Sequence, residues 1–135
     1  MDNKIGIIIP YFGKCPPYLN HFIAGCGYNP SIDWLLMTDI EDIPKVSKNI
    51  HIIKSDLDAF NKLAGNKLGF PVEIQNPYKL CDFKPAYGLI FEDWLEKYDY
   101  WGYCDIDLIL GKIEHYLPPD KISKNDIIST YKGFL

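Results

Sequence analysis

The sequence contains no arginine; all 14 of its basic residues are lysine, set against 18 acidic ones, for a net charge of −4. An acidic chain without arginine lacks the basic stripe that a nucleic-acid backbone reader needs, so nucleic acid is not an expected partner. Long apolar runs are also missing. The longest near the start, between Lys4 and Pro10, covers only a few residues. That is too short for the apolar region of a secretory signal, and no small-residue cleavage site follows it. Nothing approaches the roughly 20 apolar residues of a transmembrane helix. Cysteine is sparse and unpaired in pattern. Cys15, Cys26, Cys81 and Cys104 form no C-x-x-C unit, which argues against a zinc ribbon or a thioredoxin-type motif. The reading is of reduced thiols in a cytoplasmic protein, or one peripheral to the inner face of a membrane.

What is present suits an ordinary core. The 135 residues are 47% hydrophobic and 24% charged, a balance that excludes disorder and allows one domain. Aromatic residues make up 15%, with ten tyrosines, so core edges or a ligand groove are expected to combine apolar area with polar tips.

Periodicity then divides the chain. Lys4–Pro10 is β-branched and reads as a buried strand of a parallel sheet. Leu19, Phe22, Ile23 and Cys26 have helical spacing behind Pro16-Pro17. Two further strands are expected over Ile32–Thr38 and Asn49–Lys54, then a short helix capped by Ser55 and carrying Leu57 and Phe60. Residues Gly65 to Pro77 read as a loop. From Phe83 to Tyr98 an apolar stripe steps by three and four, predicting one continuous amphipathic helix with Asp82 as its cap. Tyr100–Cys104 is a fourth strand, followed by a turn-rich stretch over Gly111–Asp120 and a last strand over Asp126–Thr130. Strands alternating with helices predict an α/β fold with a mostly parallel sheet. In such sheets ligands bind outside the carboxyl ends of the strands.

Three of those ends carry notable residues: Pro10-Tyr11-Phe12, Thr38-Asp39 and Asp105-Ile106-Asp107. Asp105 and Asp107 are two apart, which on an extended chain puts both carboxylates on one face. Facing carboxylates repel unless a cation sits between them, and a hard divalent ion such as Mg²⁺ or Mn²⁺ meets that need with oxygen ligands. Two unrelated aspartates in a solvated turn would give the same letters. His21, His51 and His115 have no ligand-like spacing, and Cys81 and Cys104 read as small buried apolar residues.

The block Pro77–Gly111, with PYKLCDFKPAYG and WGYCDIDLILG, resembles a group of little-characterised bacterial glycosyltransferases of the GT-A fold. KIGIIIPYFGK and NPSIDWLLMTD resemble the same group, so the likeness spans nearly the whole chain. It implies a Rossmann-like nucleotide-sugar-binding domain over residues 1–135, a nucleotide-diphosphate-sugar donor with UDP-sugars foremost, and Mn²⁺ or Mg²⁺. It further implies that Asp107 and Asp105 take the metal, with Asp105 also reaching the donor. Asp82 would contact donor sugar or ribose with Lys84 as its basic partner, Asp39 would receive the base, and Pro10, Tyr11 and Phe12 would cradle the nucleotide. The acceptor would be a glycan or a lipid-linked saccharide of a bacterial surface polymer. Enzymes of this fold carry an acceptor-binding half after the D-x-D strand, and only 28 residues (135 − 107) follow Asp107 here. The expectation is therefore a donor-binding half, incomplete at its carboxyl end, with an uncovered last strand. Two other readings stand beside it. One is a non-catalytic nucleotide-sugar-binding fragment. The other is a haloacid-dehalogenase-type phosphatase, whose D-x-D-x-Thr pattern is disfavoured by Ile109 in the threonine position.

Overall fold

A computed structural model describes residues 3–129. Its centre is a four-stranded, all-parallel sheet in the order β3-β2-β1-β4, made of β1 (Ile5–Tyr11), β2 (Ile32–Thr38), β3 (Ile50–Lys54) and β4 (Tyr100–Tyr103). The architecture is α/β with helices on the sheet's two faces, compatible with a Rossmann-like fold.

The two faces follow from strand alternation. Ile5 and Ile9 of β1, Ile32, Trp34 and Leu36 of β2, and Ile50 of β3 share one face. That face is covered by Leu19, Phe22, Ile23 and Cys26 of helix α1 (Leu19–Gly27) and by Ile106 and Ile122 from the chain after β4. Ile8, Leu35 and Met37 face the other way. They pack against Phe60 and Ala64 of helix α2 (Leu57–Leu68) and against Leu80, Tyr87, Ile90, Phe91 and Leu95. The link between β2 and β3 makes a parallel crossover without a helix. Ile40, Ile43 and Val46 tuck it onto the first face instead.

Two asparagines join these pieces. Asn49 Nδ2 lies 3.0–3.1 Å from the carbonyl oxygens of Cys26, Asn29 and Ile32. Asn29 donates to the Gly25 and Gly111 carbonyls and accepts from Ile113 N, fastening the segment after β4 to the end of α1.

Several expectations are corrected. The continuous helix over 83–98 is absent. A 3₁₀ segment spans Pro77–Ala86, followed by the single turns α3 (Tyr87–Ile90) and α4 (Glu92–Leu95). Pro85 has no N–H to give and crowds the preceding turn, which keeps a regular α-ladder from running through 77–86, and a second break falls at Phe91, whose φ of −103° and ψ of 18° lie outside the helical region. The stripe survives because successive single turns keep residues three and four apart on one side, and Tyr87, Ile90, Phe91 and Leu95 are all buried. Asp82 caps nothing; Asn76 does, accepting from Tyr78 N at 3.0 Å. Ser55 yields the α2 cap to Asp56, whose carboxylate accepts from Ala59 N at 2.7 Å. Gly65 does not start a loop. It lies inside α2, where a Cβ would stand 3.3 Å from the Phe70 carbonyl oxygen. Glycine there permits a close backbone crossing, and the helix ends at Gly69, whose φ of 78° is left-handed. Residues 126–129 form no strand, and helix α5 (Pro119–Ile122) lies in the segment ahead of them. Thr130 of that expected strand and the tail 131–135 lie outside the described residues.

Candidate functional site

β1 sits between β2 and β4. The chain leaves β1 towards β2 and β3 on one side, and β4 is added on the other. This reversal puts the switch point of the sheet at the carboxyl ends of β1 and β4, the position where open α/β sheets bind ligands. The pairing of Ile8 with Tyr103 and of Tyr11 with Thr38 brings the three strand ends to the same side.

On the β2 side, Asp39 Oδ1 accepts a 2.8 Å hydrogen bond from Gly13 N, joining the end of β2 to the loop after β1. Gly13 has φ 114°, which strains any residue with a Cβ. The same loop is held by Tyr11, whose hydroxyl donates to the Lys14 carbonyl at 2.7 Å. Pro10 is half-buried within β1, paired with Met37. Phe12 is buried at 4% exposure among Ile8, Leu35 and Met37. Its ring is a core group, so it cannot stack on a base. Its part in the site is to anchor the loop.

On the β4 side, alternation continues past the strand. Tyr103 is exposed, Cys104 half-buried, Asp105 exposed, Ile106 buried at 4% and Asp107 exposed. Ile106 anchors the chain in the core, and the carboxylates on either side of it reach solvent. Lys84 Nζ contacts Asp105 Oδ1 at 2.7 Å and lies 5.6 Å from the centre of the Tyr103 ring. Burial pulls the Lys84 ammonium down, but the hydrogen bond and charge of Asp105 outweigh it and leave it above its ordinary value. The Tyr103 ring stands edge-on to Tyr87, whose buried hydroxyl donates to the Leu80 carbonyl at 3.0 Å. Burial raises the Tyr87 hydroxyl far above its ordinary value, with the Asp105 charge adding to it, so it serves as a fixed donor.

The structure thus brings Asp105 and Lys84 into contact, and Asp39 together with the Tyr11–Gly13 loop. Asp82 stands apart from the Lys84–Asp105 pair in its contacts: it is exposed and pairs with Lys79 at 3.5 Å. Sequence reasoning missed Tyr103 and Tyr87. Tyr103 had a signal, because it lies two residues before Asp105 on the same strand. Two open concavities of about 360 and 390 Å³ lie elsewhere. Lys112, Glu114, His115 and Pro119 line one, residues of α2 and of 72–75 line the other, and none of the eight candidate residues touches either.

Among the described residues no three His, Cys, Asp or Glu side chains group as a metal site. Asp105 and Asp107 supply hard oxygen ligands that fit a Mg²⁺- or Mn²⁺-type ion completing its shell with water and phosphate.

The cysteines divide differently from the sequence reading. Cys81 is exposed rather than buried, its thiol 3.0 Å from the Tyr78 carbonyl. Cys15 is also exposed, whereas Cys26 is buried and Cys104 partly so. Burial pushes the Cys26 and Cys104 thiols up to about 12. Because the thiolate is the reactive form, Ellman's reagent at pH 8 is expected to titrate Cys15 and Cys81 in a fast phase. Cys26 and Cys104 should react only on unfolding. A fast phase that includes all four would contradict this packing.

One protein-family model matches residues 7–135, a span that includes every candidate site residue. The chain belongs to the family of unknown function DUF6625. No curated protein and no solved structure matches it. The DUF6625 match takes in both long motifs, PYKLCDFKPAYG and WGYCDIDLILG, and with them Lys84, Asp105 and Asp107. No described helix is long and apolar enough to cross a membrane.

Proposed function

We propose that this chain binds the donor of a metal-dependent glycosyltransferase of the GT-A type, a nucleotide-diphosphate sugar with UDP as the foremost nucleotide. The observation that carries the reading is the Lys84–Asp105 contact after β4, at the same end of the sheet as the Asp39-tethered loop after β1. The sequence resemblance supports it.

In this reading Asp105 and Asp107 hold Mn²⁺ or Mg²⁺. The ion, when bound, neutralises charge gathering on the departing nucleoside diphosphate. Asp39 orients the loop after β1 through Gly13 N, so that the backbone of residues 11–13 forms the nucleotide's side of the site. Tyr11 contributes stiffness through its bond to Lys14, and Lys84 supplies positive charge to the diphosphate. Transfer follows when an acceptor hydroxyl, from a glycan or lipid-linked saccharide, displaces the diphosphate at the anomeric carbon. Holding both reactants at attack distance is the larger part of such a rate enhancement.

Calorimetric titration with UDP, with and without Mn²⁺, tests the reading, and a panel of nucleotide sugars then identifies the donor. Metal-dependent binding of UDP is the expected result. No binding of any nucleoside diphosphate in either condition would overturn it.

A further inference from the structure

Lys84 and Asp105 are unequal partners. The Lys84 side chain is 23% exposed and that of Asp105 62%. The ammonium is therefore the more sheltered member of a 2.7 Å pair, while the carboxylate keeps most of its surface open to whatever enters the site. Asp107 has neither an ion pair nor a hydrogen bond among the described residues. Asp105 is thus paired with a lysine and Asp107 is not.

A divalent ion arriving at Asp105 meets an ammonium already there. Lys84 holds Oδ1, and an ammonium there repels a divalent ion at either oxygen of the same carboxylate, so the ion binds more tightly once Lys84 leaves. A partly buried ammonium left without a partner is costly, so Lys84 leaves readily only when another anion receives it. A diphosphate is such an anion, and lysine binds phosphate as a point charge on a flexible stem. The stem swings without backbone movement, and the Tyr103 ring, 5.6 Å from Nζ and braced by Tyr87, offers it a favourable face along the way. The diphosphate alone, conversely, would face the unneutralised charge of Asp107.

We propose that Lys84 is a stand-in cation. It holds Asp105 while the site is empty and passes to the diphosphate when metal and nucleotide arrive, so that the two bind as a coupled pair. This rests on the donor-site reading above and adds a positioning role for Lys84. Coupling of this kind is reciprocal: whatever UDP does for Mn²⁺ affinity, Mn²⁺ does for UDP.

The test measures Mn²⁺ binding by electron paramagnetic resonance, with and without UDP, for the unmodified chain, Lys84→Met and Lys84→Arg. In the unmodified chain Mn²⁺ alone is expected to bind weakly, and UDP to tighten it by a factor in the range of about 5–150. In Lys84→Met, Mn²⁺ alone should bind several-fold more tightly and the enhancement by UDP should shrink several-fold. Lys84→Arg retains the charge and should restore most of the enhancement, which a purely structural role of Lys84 would not require. If Lys84→Met leaves Mn²⁺ affinity and the enhancement unchanged, or weakens Mn²⁺ binding in the absence of UDP, the stand-in role is refuted while the donor site stands. If the unmodified chain binds no Mn²⁺ even with UDP, the donor-site reading fails and this inference with it.

Discussion

Replacing Asn49 with alanine is expected to lower stability by about 1–3 kcal/mol, the cost of a buried polar group losing its partner, because the Cys26 and Asn29 carbonyls keep their backbone bonds from Asn29 N and Ile32 N. The Asn49 amide nitrogen serves the carbonyls of Cys26, Asn29 and Ile32, which end α1, form the turn and begin β2. The residue itself is 9% exposed, so water cannot easily replace the amide. Its own carbonyl is also committed, accepting from Trp34 N at 2.8 Å, and this backbone bond survives the substitution. The loss should therefore appear as a lower denaturation midpoint with an unchanged dependence on denaturant. Leucine at the same position should do no better, because it fills the space without a donor. An alanine variant within about 0.5 kcal/mol of the parent, the range of an ordinary surface change, would show that these carbonyls find other partners.

Asp107→Asn is expected to reduce metal-dependent UDP affinity at least as much as loss of a group that merely supports a metal ligand, a factor of roughly 10–100. The side chain is exposed and makes no ion pair or hydrogen bond with the described residues, so the substitution removes a charge without disturbing a structural contact. Asp105→Asn is a less direct probe, since it also strips Lys84 of its partner. Thermal stability of Asp107→Asn without ligand should match the parent. A variant that keeps both its stability and its Mn²⁺-dependent UDP affinity would remove Asp107 from the site.

The strands were legible because β-branched runs between turn residues leave little choice of structure. Ile32–Thr38 matches β2 end for end and the other three observed strands agree within a residue or so, but the β-branched run from Asp126 forms no strand over 126–129. The helices were less legible. Gly65 carries the same letter whether it ends a helix or lets another backbone approach, and only the position of Phe70 separates the two. The 83–98 stripe predicted the buried side correctly but not the backbone, because the breaks at Pro85 and Phe91 interrupt backbone hydrogen bonds without disturbing hydrophobic spacing. The D-x-D segment was readable as a strand end. Its link to Lys84 was not, since the pair spans 21 positions and depends on how the 3₁₀ segment returns to the sheet. Asn29 and Asn49 gave no signal at all: an asparagine beside a turn looks the same whether it faces water or three carbonyls.

The order of the strands also bears on how the molecule assembles. β1, β2 and β3 lie within the first 54 residues and can pair early, whereas β4 must find β1 across 95 positions, from Ile5 to Tyr100. Contacts of such long range close late, because the loop entropy must be met before the pairing rewards it. The late strand is short, four residues held at its start by the Lys4 backbone, which donates to the Asp99 carboxylate and accepts from Asp99 N and Tyr100 N. An edge element of that size is the natural unit of partial opening in an otherwise folded sheet. Release of β4 alone would carry Asp105 and Asp107 away from Asp39 and the β1 loop while the three-stranded remainder kept its shape. The two sides of the site therefore belong to different stages of folding, and ligand held across them would act as a clasp on the last strand to arrive.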